Sequence, residues 1–140
     1  TQDALEEKLL AGGFDQRVKT LFSWLGVTYY LTAEAIEKTI DELSGICADG
    51  SAVVLDYPDE NFLTAAEKRV QNTIKMAMAG GEAMKSSLSY AELEKLLERH
   101  GFLIYEHLTP DTIQREIIDP AGASMKAFEH VNYCLAIRKG

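Results

Sequence analysis

Four side chains near two predicted strand ends are of the types that line a small binding pocket. Trp24 lies at the end of the first strand, Tyr29 follows it, and Asp56 and Tyr57 end the second. Ligands of open α/β sheets bind outside the carboxyl ends of the parallel strands, where these side chains are expected. Aromatic faces attract cations, and a carboxylate can orient a polar ligand group or a helix N-terminus. The pattern indicates a walled pocket with one acidic group.

A structural role for the same residues is the alternative interpretation. Trp24 and the tyrosines can pack the sheet against a helix, because large aromatic side chains are buried on average. Asp56 can cap the turn that leads into Pro58 and Asp59. The residue types alone leave both interpretations open.

Other kinds of catalytic site have little support in the sequence. His130 and Cys134 are four residues apart, but in a strand this spacing does not place them on a common helical face, so no metal site is expected. His100 and His107 lie at a helix end and a strand end. No serine–histidine–acid or cysteine–histidine motif is recognisable.

Composition and charge restrict the class of protein further. The 140 residues are 46% apolar and 26% charged, which predicts one globular domain over residues 1–140. The formal net charge is −8, and the basic residues are spread along the chain, so neither nucleic acid nor an anionic membrane is an expected partner. No apolar run reaches the roughly 18 residues of a membrane span. Two cysteines without a paired spacing favour a reduced, cytoplasmic setting.

The elements that position the candidate residues alternate between strands and helices. Apolar, β-branched and aromatic runs predict strands at 18–26, 52–57, 102–108 and 131–139. Capping residues and apolar periodicity predict helices up to Gly12, after Thr32, from Asn61 to about Ala79, after the capping box Ser89–Glu92, and after Thr109.

This alternation predicts an α/β sheet with right-handed crossovers. The last two strands lack a full crossover helix between them, so they can pair antiparallel. We expect a mostly parallel sheet with the last strand antiparallel and with helices on both faces.

One block of the sequence, FSWLGVTYYLTAEAI, and four supporting segments carry a family resemblance. The supporting segments are GGFD, VVLDY, LLERHGF and FEHVNYCLAIRK. Together they resemble the leucine carboxyl methyltransferase-like branch of the class I S-adenosylmethionine-dependent methyltransferases. The resemblance covers nearly the whole chain, and the order of strands is similar to strands four to seven of that Rossmann-like fold, with the seventh reversed.

The resemblance also implies which parts of the site this chain holds. The family's glycine-rich cofactor turn and the acidic residue that follows it do not occur here, so the chain resembles the C-terminal, acceptor-side half, without the N-terminal cofactor-binding half. Backbone atoms of Trp24, Leu25 and Gly26 are expected at the cofactor, although Leu25 replaces a glutamate that some members carry. Tyr29, Asp56 and Tyr57 are expected at the methyl acceptor.

The expected function follows from this resemblance. The complete enzyme would use S-adenosylmethionine to methylate a carboxylate or hydroxyl of a small molecule or peptide. The chain begins with Thr1 rather than Met, so we expect an excised segment that is inactive alone. The first strand would have a bare edge, which can pair with a second copy to form a homodimer. The alternative function is a non-catalytic module that binds other proteins through that edge.

Overall fold

The computed structural model describes residues 5–140, which form one four-stranded sheet with flanking helices. The strands are β1 (Leu21–Trp24), β2 (Ala52–Pro58), β3 (Phe102–Leu108) and β4 (Val131–Arg138). The helices are α1 (Leu5–Ala11), α2 (Ala33–Ile46), α3 (Lys68–Ala79), α4 (Tyr90–Arg99) and α5 (Pro110–Ile113). A short π-helix at Gln114–Ile118 continues α5. Single 3₁₀ turns lie at Thr28–Tyr30 and Phe62–Thr64.

The strand order is β1-β2-β4-β3, and the last strand of the chain is antiparallel to both of its neighbours. Strands β1, β2 and β3 therefore run in one direction, as expected. Because β4 lies between β2 and β3, β1 and β2 form the only parallel hydrogen-bonded pair within residues 5–140. The expected "mostly parallel" sheet is thus correct for strand direction but not for strand pairing.

The main core lies between one face of the sheet and helices α2 and α4. Apolar residues recur at three- and four-residue spacing along both helices, which places them on one side of each helix. They pack against the alternate side chains of the strands that point to the same face. The buried members are Ile36, Ile40, Leu43, Ile46, Val53, Leu55, Tyr57, Leu88, Leu93, Leu96, Leu97, Phe102, Cys134 and Ala136.

The second face of the sheet is covered by α3 only near the carboxyl end of β2, where Val70 packs with Val131. Away from that end, the register places Leu21, Ala52, Ile137 and Leu103 side by side across all four strands. Leu21 is 63% exposed and Leu103 is 44% exposed. Helices therefore contact both faces as expected, but much of the second face is left uncovered in the part of the chain that the structure describes.

Most helix starts agree with the capping signals in the sequence. Thr32 and Thr109 accept hydrogen bonds from the third helical residue, and Ser89 with Glu92 forms the complete capping box. The third helix is an exception, because it begins at Lys68 rather than near Asn61. A 3₁₀ turn replaces its expected first turns and buries Phe62 completely. The start of the first predicted helix, at residues 1–4, lies outside the described residues.

No helix within residues 5–140 combines the length and the apolar character that crossing a membrane requires.

Candidate functional site

A cavity of about 290 Å³ opens at the carboxyl ends of β1 and β2, beside the start of β4. This is the end of an open α/β sheet at which ligands are expected to bind. Its volume is near the lower limit of small-molecule pockets, roughly 300 Å³. The lining residues are Gly26, Tyr29, Tyr30, Asp56, Thr73, Met84, Phe128, Val131 and Tyr133.

Asp56 supplies the carboxylate of this cavity, and two donors from one short segment hold it in place. The backbone N–H of Gly26 donates to Oδ1 at 2.7 Å, and the hydroxyl of Tyr29 donates to Oδ2 at 2.9 Å. Gly26 has φ of 73°, a left-handed conformation that glycine adopts without a side-chain penalty. Only 6% of Asp56 is exposed, so these bonds replace the water that a carboxylate would otherwise bind.

The 3₁₀ turn that carries Tyr29 is fixed by a network of buried hydrogen bonds. The Thr28 hydroxyl donates to the backbone oxygen of Asp56 at 2.9 Å, which ties the turn to the end of β2. The Ser86 hydroxyl donates to the backbone oxygen of Thr28 at 2.8 Å. The backbone N–H of Lys85 donates to the backbone oxygen of Tyr29 at 2.7 Å. Because these contacts come from two separate segments, the end of β2 and residues 85–86, Tyr29 is positioned before any ligand binds.

Burial and charge keep the hydroxyls of Tyr29 and Tyr133 protonated. Burial raises the pKa of Tyr29 strongly, and the negative charge and hydrogen bond of Asp56 raise it further. Burial, together with the charge of Asp56, also raises the pKa of Tyr133. Tyr29 therefore remains a hydrogen-bond donor to Asp56 at neutral pH.

Aromatic side chains form much of the remaining cavity wall. The buried ring of Phe62 packs behind two of them, since its centroid lies 5.8 Å from that of Tyr29 and 6.5 Å from that of Phe128. The guanidinium carbon of Arg69 lies 4.9 Å from the ring centroid of Phe128, and its Nε donates to Glu129. That cation is thus used outside the cavity, and no lysine, arginine or histidine is among the residues described as lining it.

The structure brings together three of the six residues that the sequence indicated, namely Gly26, Tyr29 and Asp56. Trp24 packs against the main core on the other face of the sheet, and Leu25 is exposed. Tyr57 points to the opposite face from Asp56 because neighbouring side chains of a strand alternate.

Tyr57 is buried against α4 instead, and its hydroxyl lies 2.7 Å from Nε2 of His107. Burial raises the pKa of Tyr57 to about 12 and lowers the pKa of His107. Tyr57 does not reach the cavity, so its position is that of a core residue.

Several lining residues were not singled out from the sequence. Tyr30 is next to a predicted site residue, and Phe128 and Tyr133 lie in the segment FEHVNYCLAIRK, which supported the family resemblance. A signal was therefore present for these three. Thr73 and Met84 come from α3 and the segment after it, and only the packing of α3 places them here.

A second polar cluster lies at the same end of the sheet. His130 Nδ1 is 3.1 Å from Oδ2 of Asp59, and its Nε2 is 3.1 Å from Oε2 of Glu67. Partial burial lowers the pKa of His130, but the two carboxylates outweigh that effect and raise it above its ordinary value. Within residues 5–140, no group of three or more histidine, cysteine, aspartate or glutamate side chains has a geometry that could hold a metal ion.

Comparison with known proteins finds sequences that are similar to this chain. The model of the leucine carboxyl methyltransferase family matches residues 1–44, which include β1 and the 3₁₀ turn of the site. A Bacillus subtilis (strain 168) protein, the candidate S-adenosyl-L-methionine-dependent methyltransferase YktD, is 44% identical over 135 residues, covering 95% of this chain. The resemblance to the leucine carboxyl methyltransferase family is therefore confirmed over residues 1–44. This methyltransferase-like chain spans 44% of the length of the Bacillus protein.

Solved structures show the same fold. A DUF574 family protein from Streptomyces avermitilis superposes with a TM-score of 0.66 at 16% identity, over 99% of this chain and 53% of that one. A candidate methyltransferase from Thermobifida fusca gives a TM-score of 0.66 at 12% identity, over 100% and 53% of the two chains. Human N-acetylserotonin methyltransferase, crystallised with S-adenosylmethionine, gives 0.55 at 11% identity, over 86% and 29%. The methyltransferase-like chain therefore has the α/β fold of these proteins.

Proposed function

We propose that this chain forms the acceptor-side part of an S-adenosylmethionine-dependent O-methyltransferase that acts on a carboxylate or hydroxyl of a small molecule or peptide. The observation that carries the proposal is the cavity at the carboxyl ends of β1 and β2, with the fixed carboxylate of Asp56 and aromatic walls. Methyl transfer requires mainly an aligned nucleophile in a site from which water is excluded. A preformed, partly aromatic cavity meets that requirement.

The cofactor would be bound mainly by residues outside this sequence. The sequence lacks the glycine-rich turn that approaches the cofactor in this fold. Of the three residues expected at the cofactor, only Gly26 lines the cavity. We therefore expect the chain to have no methyltransferase activity alone.

A chimera tests this function directly. The matched 135 residues of the Bacillus subtilis protein are replaced by this sequence, to which they are 44% identical. Binding of S-adenosylhomocysteine is then measured by calorimetric titration for the chimera, for the Bacillus protein and for this chain alone. We expect the first two to bind and this chain alone not to bind.

Two results would contradict the proposal. If the Bacillus protein binds and a correctly folded chimera does not, this sequence is incompatible with a working cofactor site. If this chain alone binds at micromolar concentration, too much of the cofactor site has been assigned to residues outside it.

A non-catalytic protein-binding module is the second candidate function. It is favoured by β1, which among the described residues has β2 as its single neighbouring strand and so leaves one edge with unpaired backbone groups. The same edge supports a homodimer. The mass of the chain in solution, recorded with the calorimetric titration, tests for self-association.

A further inference from the structure

The charge inside the cavity limits which acceptor it can bind. Asp56 is the only charged residue among the described residues that line the cavity. Both of its oxygens accept hydrogen bonds, which is the pattern of an ionised carboxylate. A second carboxylate placed beside it would be repelled, since like charges in a poorly solvated site disfavour each other. A carboxylate acceptor would therefore enter at a cost that no cation among the described lining residues offsets.

A hydroxyl acceptor fits the same geometry. Each carboxylate oxygen can accept more than one hydrogen bond, so Asp56 keeps lone pairs after binding Gly26 and Tyr29. An acceptor hydroxyl can donate its proton to one of these free lone pairs of Asp56. Tyr29 keeps its own proton as a donor to Asp56, so the carboxylate rather than the tyrosine is the base of the site.

The walls determine what carries the hydroxyl. Tyr30, Phe128 and Tyr133 present aromatic surface, and Met84 adds an adaptable apolar side chain. Flat apolar groups are bound well by such walls, and a cavity of about 290 Å³ accommodates a small ring compound. We propose that the acceptor is a neutral hydroxyl on a small, flat apolar group, such as a phenol, and that Asp56 receives its proton. This inference rests on the proposed function and names the acceptor of that site.

The transfer balances with a sulfonium methyl donor. An oxygen lone pair of the acceptor forms the new bond to the methyl carbon, while the carbon–sulfur bond breaks and leaves a neutral thioether. The hydroxyl proton passes to Asp56. The sulfonium becomes neutral when it loses the methyl group, and the proton released by the acceptor neutralises the Asp56 carboxylate. General-base catalysis of this kind typically increases the reaction rate by about 10² to 10⁴-fold.

Two probes that share a p-tolyl ring test the proposal on the whole 140-residue chain. p-Cresol is a neutral phenol, and p-toluate replaces the hydroxyl with a carboxylate that is ionised at neutral pH. Each is titrated into isotope-labelled protein, and the amide signals of Gly26, Phe128 and Tyr133 are followed by NMR. We expect these signals to shift with p-cresol, and p-toluate to bind at least about tenfold more weakly.

Variants separate the role of the charge. Asp56→Asn is expected to weaken p-cresol binding about tenfold and to strengthen p-toluate binding. An unfolded protein cannot gain affinity for p-toluate, so that gain distinguishes loss of charge from loss of fold. Asp111→Asn, on the exposed first turn of α5, is the matched control and should bind both probes like the wild type.

The proposal is overturned if the wild-type chain binds p-toluate as tightly as p-cresol, or if it binds neither. The wild-type comparison decides even if Asp56→Asn fails to fold. Cofactor binding by the chimera is a separate measurement. A chimera that binds S-adenosylhomocysteine, together with a chain that prefers p-toluate, would reject the hydroxyl acceptor and leave the methyltransferase function in place.

Discussion

Tyr29 is the single residue on which the geometry of the site depends most directly. Its hydroxyl is the side-chain donor to Asp56, while its backbone oxygen accepts from Lys85. The side chain is 9% exposed, so removing its hydroxyl leaves a carboxylate oxygen without a donor in a poorly solvated place. The same residue therefore contributes both to stability and to the shape of the cavity.

We expect Tyr29→Phe to lower the free energy of unfolding by about 1–3 kcal/mol, the range for leaving a buried polar group unsatisfied. Urea unfolding followed by circular dichroism measures this difference. Tyr105→Phe is the matched control, because Tyr105 is 74% exposed and should tolerate the same change. Equal stability of the Tyr29→Phe variant and the wild type would show that the hydrogen bond to Asp56 is not formed in solution.

At the scale of elements, His130 joins three of them at the site end of the sheet. It precedes β4, and its ring contacts Asp59 after β2 and Glu67 at the start of α3. Its backbone oxygen also accepts from the N–H of Asp59 at 2.8 Å. His130 has φ of 63°, a conformation that asparagine tolerates better than most residues.

Protonation of His130 should make this junction pH-dependent. Its pKa is raised in the folded state, so its charged form stabilises the fold fully below its unfolded pKa, about 6.5. That contribution is lost as pH rises through the higher folded pKa. We expect the stability difference between wild type and His130→Asn to be larger at about pH 5.5 than at about pH 8.5.

Urea unfolding of both proteins at the two pH values measures that difference. Comparing the two proteins removes the contribution of other titrating groups, including His107, whose lowered pKa acts in the opposite direction. A difference that does not change with pH would show that the ring of His130 does not gain charge beside Asp59 and Glu67.

At the scale of the whole molecule, the second face of the sheet leaves apolar side chains exposed to solvent. A groove of about 300 Å³ on this face is lined almost entirely by apolar atoms, including those of Leu21, Val54 and Leu135. Tyr133 lines both this groove and the candidate site. Exposed apolar surface of this kind promotes association, and here it is continuous with the cavity.

We expect Leu103→Lys to reduce self-association at high protein concentration, because Leu103 lies on this face and is partly exposed. Sedimentation velocity over a concentration series measures the change. Met76→Lys is the control, since Met76 is 74% exposed on α3 and away from the groove. A dimer that persists unchanged in the Leu103→Lys variant would instead favour the β1 edge as the interface.

The local sequence determined the elements and part of the site. Thr32, Ser89 and Thr109 marked helix starts because a capping side chain acts on its own first turn. Asp56 was found because it lies at a predicted strand end, and Gly26 was found through the family resemblance. The late start of α3 was not predicted. A 3₁₀ turn takes the place of the expected first helical turns, because it buries Phe62 in the core that contains Tyr29 and Val131.

Tertiary structure decided which of the indicated residues meet. Insertion of β4 between β2 and β3 pairs Asp56 with Tyr133, a contact that the linear sequence does not contain. Strand alternation then separates Asp56 from Tyr57, because a difference of one residue moves a side chain to the other face. The sequence by itself determined strands, caps and the family resemblance, which are local or cumulative properties. The strand order and its register, which depend on long-range packing, decided which side chains line the cavity.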